Sequence, residues 1–165
     1  MILTFSQKIK DKPTFFVEKI LNCMHYDLKY GKELNDFLKY KRLGYNKSQE
    51  LINKIVSVKP KRHTIRRDSK KRWKLGNLIH FYIDTRSPLQ YLFAPVIDCI
   101  STQKIEIIYN RGKIRVYINE RQLPLSPSKV EELAINDGFD SVDDFFEWFN
   151  EDFTGKIIHW TDLKY

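Results

Sequence analysis

Hydrophobic positions change period several times along the 165-residue chain, and each change marks a predicted element. The apolar run at residues 2–5, "ILTF", suits a first strand. Thr14 then stands where an N-cap belongs, and Phe16, Val17, Ile20 and Leu21 fall on one helical face. Tyr30, Leu34, Phe37 and Leu38 repeat at helical spacing, with Gly44 placed to end that helix. Asn46 with Gln49 has the form of a capping box, opening a further helix through Leu51, Ile52, Ile55 and Val56. Residues 23–58 therefore read as a helical hairpin, which Pro60 closes.

Beyond the proline the period shifts from helical to strand-like. "KLGN" at residues 74–77 is a turn, and "LIHFYI" after it is a strand. "YLFAPVIDCI", "KIEIIY" and "KIRVYI" continue in strand-forming residues, with Arg111 and Gly112 as punctuation. Ser126, Pro127 and Gly138 frame a helix as cap, first-turn proline and terminating glycine. Ser141 and Asp144 cap a second helix whose Phe145, Phe146 and Phe149 form a buried face, and residues 156–163 read as a last strand. This pattern is α+β, with a mostly antiparallel sheet curled or closed on itself. The length fits one domain spanning 1–165, with 23–58 as a helical insertion.

Composition narrows the class. A 42% hydrophobic fraction, including 11 Phe, 9 Tyr and 3 Trp, argues for a packed core over disorder. No apolar run approaches the ~20 residues of a membrane-spanning helix, and the first residues lack the pattern of a signal peptide. Two cysteines, Cys23 and Cys99, make neither a disulfide framework nor a metal site, so the expected location is cytoplasmic. His25, His63, His80 and His159 show no ligand spacing, and neither metal nor cofactor is expected.

Charge changes the picture most. Residues 59–74, "KPKRHTIRRDSKKRWK", hold nine Lys or Arg against one acid, Asp68; their net +8 equals that of the whole chain. Residues 124–155 hold nine acids against Lys129, a net −8. Either the two blocks face each other or each makes its own surface. Such a basic run neutralises phosphates, and His63, Trp73 and Tyr82 in or near it are candidates to stack a base. The plainer alternative is a solvated loop partly paired with the acidic helices.

Four segments, "KRHTIRR", "RWKLGN", "AINDGFDSVDDFFEWF" and "GKIIHW", together with the opening "MILTFSQKIKDKPTFFVEKIL", resemble the ASCH family of the PUA-like superfamily. The resemblance covers residues 1–22 and 59–165 in order. It implies a curved or closed PUA-like β-barrel with flanking helices, interrupted by the helical hairpin. It also implies a cleft beside a "K-x-x-T-x-R" motif for RNA or a nucleotide-like ligand. The motif falls on Lys61, Thr64 and Arg66, and contacts are expected from Arg62, His63, Arg66, Arg67, Lys70, Lys71, Arg72, Trp73 and Lys74. Some members of the family are amidohydrolases acting on N4-acetylcytidine. The corresponding residues here are Thr64 as nucleophile, Lys61 as base and Asp137 as acid, an aspartate standing where the family carries glutamate. Binding is thus the leading expectation and hydrolysis the alternative; a protein-interaction scaffold using residues 23–58 is the third.

Overall fold

A computed structural model describes the chain except residues 27–29 and 41–44; the side chains at 39, 40, 45–49 and 52 are also outside the description. Gly44 and the Asn46/Gln49 capping box therefore lie outside the described features. In chain order the elements are β1 (Ile2–Thr4), β2 (Lys8–Ile9), β3 (Lys12–Pro13), α1 (Phe16–Tyr26), α2 (Gly31–Tyr40) and α3 (Tyr45–Val56). They continue as β4 (His63–Arg66), β5 (Leu78–Ile83), β6 (Tyr91–Leu92), β7 (Ile97–Asp98), β8 (Ser101–Asn110), β9 (Lys113–Ile118), α4 (Pro127–Asn136), α5 (Val142–Trp148) and β10 (Phe153–His159).

The chain divides into two compact units, Met1–Lys61 with Leu78–Ile97, and Arg62–Asn77 with Asp98–Tyr165. In the first unit β1 runs parallel to β5, pairing Leu3 with Phe81, and β6 pairs antiparallel to β5. Strand alternation turns Ile79 and Phe81 inward, and Phe5 stacks on Phe81 at 6.0 Å between ring centroids. The Thr14 hydroxyl accepts the Phe16 amide at 3.4 Å and donates to the Ser6 carbonyl at 2.7 Å, fixing the start of α1. α1 then runs without a break through residue 23, where the insertion was expected to begin. α2 and α3 pack against α1, burying Leu34 and Ile55, and the Asn22 amide donates to the Ile55 carbonyl at 2.8 Å.

The second unit is built on a fully antiparallel sheet in the order β4-β10-β8-β9. β10 is longer than the sequence pattern implied at its start, because Phe153 and Gly155 already pair with Ile107 and Ile105 of β8. Ser126 caps α4 ahead of Pro127, and Ser141 caps α5 by accepting the Asp144 amide. Phe145 is fully buried and Phe149 nearly so, whereas Phe146 is half-buried. With Phe139 and Phe153 they make a chain of edge-on and tilted aromatic contacts beneath the helices.

The expected PUA-like barrel is not formed. Among the described residues the strands make separate sheets of four, four and two strands, none closed, in a mixed fold with five helices. Two local features oppose closure. Pro95 interrupts the long run at residues 91–100, leaving only the two-residue strands β6 and β7. The outer strand β9 exposes Lys113, Ile114 and Arg115, and such charged edges disfavour further pairing.

Gly155 marks a close approach in the second unit. A Cβ there would lie 2.5 Å from the Arg66 carbonyl oxygen and 2.6 Å from the Phe153 ring. The Gly155→Ala variant is therefore expected to lose about 1–3 kcal/mol by overpacking, read as a lower urea midpoint.

Candidate nucleic-acid interface

The basic segment is organised by its one acid. Asp68 follows β4 and turns its carboxylate back into the loop, where Oδ1 accepts the Arg72 amide at 2.9 Å and Oδ2 the Trp73 amide at 3.0 Å. The Lys156 ammonium, on the neighbouring strand β10, stands 3.2 Å from Oδ2 and donates to the Trp73 carbonyl at 2.8 Å. Burial alone would raise the Asp68 pKa. The amides of Trp73 and Arg72, with Lys156, outweigh it and hold the carboxyl below its ordinary value. Lys71 adopts a positive φ of 49° in the turn so formed.

Trp73 is the loop's anchor, buried at 5% exposure. Its ring therefore packs inside the protein and does not lie open for stacking. Lys70, Lys71, Arg72 and Lys74 point outward around it and are exposed, with no ion pair among the described residues. A buried indole and a buried carboxylate thus fix the backbone of a loop whose cations are solvated.

Arg62 is also exposed, and its amide donates to the Asn136 carbonyl at 2.8 Å. Arg66 is half-buried; burial pushes its guanidinium below the ordinary value, and Asp137 opposes that shift. Arg67 is exposed, lies 5.3 Å above the Phe153 ring and pairs with Glu151 at 3.1 Å. The acidic and basic blocks therefore do meet, at Arg67–Glu151 and around Asp137.

The residues of the hydrolytic alternative are buried. Lys61 belongs to the first unit, 1% exposed, with its ammonium 4.8 Å from the Phe16 ring centroid and 5.9 Å from that of Phe5. Thr64 and Asp137 belong to the second unit, at 2% and 3% exposure. Asp137 Oδ1 accepts the Ile65 amide at 3.1 Å and lies 3.5 Å from His63 Nδ1. His63 Nε2 is 2.8 Å from the Tyr165 hydroxyl, which also accepts from Asn136 at 3.0 Å. His159 sits beside this cluster, its ring 5.3 Å from that of His63. Tyr82, the third aromatic considered for stacking, lies half-buried on β5 in the first unit.

Where Arg66 and Arg67 leave β4, a cleft of about 270 Å³ opens between them and the end of α5. Its wall includes Trp148, Phe149 and Asn150. Trp148 is 46% exposed, in contrast to Trp73 and to Trp160, which is fully buried. The periodic pattern of its helix does not single out Trp148, because the Phe145/Phe146/Phe149 stripe accounts for that helix as core. The available signal was its place one residue off that stripe, between Glu147 and Phe149.

No family model, curated protein or solved structure matches the chain. Among the described residues there is no cluster of three or more His, Cys, Asp or Glu that would hold a metal ion. No helix among them is long and apolar enough to cross a membrane.

Proposed function

We propose that the protein is a binding module for RNA or a nucleotide-like ligand, using the cationic loop that follows β4. The observation that carries this reading is the Asp68-centred scaffold, which holds Lys70, Lys71, Arg72 and Lys74 outward and solvated. A loop serving solubility alone has no need of an internal carboxylate, two amide bonds and a buried indole to fix its cations. Preorganised cations bind phosphates at a smaller ordering cost than floppy ones. The resemblance of the flanking segments to ASCH proteins points to the same ligand class, without their barrel. Hydrolysis draws less support, because Thr64 is buried and the Asp137 carboxylate is engaged by Ile65 and His63.

The test is a salt titration. If four or five phosphates are neutralised on a single strand, log affinity should fall against log salt with a slope of about −3 to −4. No binding of any oligonucleotide at low salt overturns the reading.

A further inference from the structure

We infer that the cleft beside Arg66 and Arg67 receives one unpaired base, stacked on Trp148, so that the protein prefers single-stranded nucleic acid. This rests on the proposed function and adds to it a site, a strand preference and a residue. The indole is 46% exposed at the mouth of the cleft, although the other two tryptophans are 5% and 0% exposed. The same cleft holds Arg66, and Arg67 paired with Glu151, so an aromatic face left half in water stands with cations in one site, where bases stack without sequence preference.

Size and connectivity select the occupant. At about 270 Å³ the cleft falls just under the range of ~300–1,000 Å³ that encloses drug-sized ligands. It has room for one planar group and not for a folded peptide segment. Arg67 forms part of its wall, and the chain passes from Arg67 directly into the loop of exposed Lys70, Lys71, Arg72 and Lys74. A strand whose base enters the cleft can therefore lay its phosphates along that loop. Phe149 and Phe153 back the cleft, and the Phe153 ring also supports Arg67 from below. A duplex has its bases stacked and paired, and it would satisfy the cations without filling the cleft.

Trp148 is its own reporter, since the buried positions of Trp73 and Trp160 keep them out of contact with an added ligand. Three probes are titrated into the full chain at low salt: a single-stranded oligoadenylate, an RNA duplex of equal length, and inorganic polyphosphate. The oligoadenylate is expected to quench tryptophan emission, and polyphosphate to compete for the protein without quenching. The Trp148→Ala variant should bind oligoadenylate about tenfold more weakly, the scale of one base–aromatic stack. It should bind duplex and polyphosphate as the parent chain does, and Trp148→Phe should recover most of the loss. Equal oligoadenylate affinity in Trp148→Ala and the parent overturns the inference while leaving the charge-based reading intact. Absence of binding by all three probes overturns both. A uniform loss toward all three probes in Trp148→Ala also overturns the inference, by showing that the indole supports the loop and not a base.

Discussion

Replacing Asp68 with alanine is expected to weaken the proposed nucleic-acid binding by about tenfold, although it raises the net charge of the protein from +8. Charge counting gives the opposite sign, since removing an acid from a basic run should strengthen attraction to phosphate. The geometry decides between them. Asp68 accepts the Arg72 and Trp73 amides and pairs with Lys156, its own side chain being 1% exposed. Without it the loop loses the contacts that set the direction of Lys70, Lys71, Arg72 and Lys74. The backbone of that loop must then be ordered on binding, at about 1–2 kcal/mol per residue. Two or three such costs exceed the ~1.4 kcal/mol that corresponds to a factor of ten. Stability should fall as well, by about 2–4 kcal/mol, because hydrogen bonds to a charged acceptor are worth ~1.5–3 kcal/mol and Lys156 keeps only the Trp73 carbonyl. Asp68→Asn, which retains an acceptor oxygen, should be intermediate in both respects. Affinity and urea midpoints of the three proteins check this. Tighter binding by Asp68→Ala would show that net charge, and not loop geometry, governs the interaction.

That reversal of sign illustrates what the residues disclosed by themselves. The helices framed by Ser126, Pro127 and Gly138 and by Ser141 and Asp144 were legible because caps act over three or four residues. β4, with Ile65 its one apolar residue, was hidden inside the charged run, whereas the strands β5, β8 and β9 were legible from their apolar residues and turns. Closure of the sheet was not, because pairing of distant edges depends on registers that no local pattern records, and Pro95 and the charges of β9 worked against it. The site was legible as a charge excess but not as an arrangement. Asp68 entered the count as one negative charge, whereas its effect is to shape the loop. Trp73 and Trp148 have the same side chain, yet long-range packing buries the first and leaves the second half in water.

The second large effect concerns acid. His159 is fully buried at the end of β10, and neither ring nitrogen has a hydrogen-bond partner among the described residues. Burial, then the nearby His63 and Lys164, push its pKa from 6.5 down to about 3, with Asp137 opposing. The folded protein therefore holds His159 neutral, while the unfolded chain takes up a proton as pH falls through about 6.5. Over that window the unfolded state binds more protons, so stability decreases with falling pH, and this contribution levels off only below about pH 3. Between pH 7.5 and pH 5 the expected loss is about 2 kcal/mol. The groups around the ring are His63 at 5.3 Å and Tyr165 at 6.3 Å between centroids, with Ser101 opposite on β8. The Asp68 carboxyl, held below its ordinary value, titrates lower and lies outside the interval. His159→Leu removes the titrating group and two buried nitrogens that lack partners, so it should fold at least as stably at pH 5 as the parent chain. Urea unfolding of both proteins at the two pH values measures the difference. An equal loss in His159→Leu would show that a group other than His159 carries the acid sensitivity.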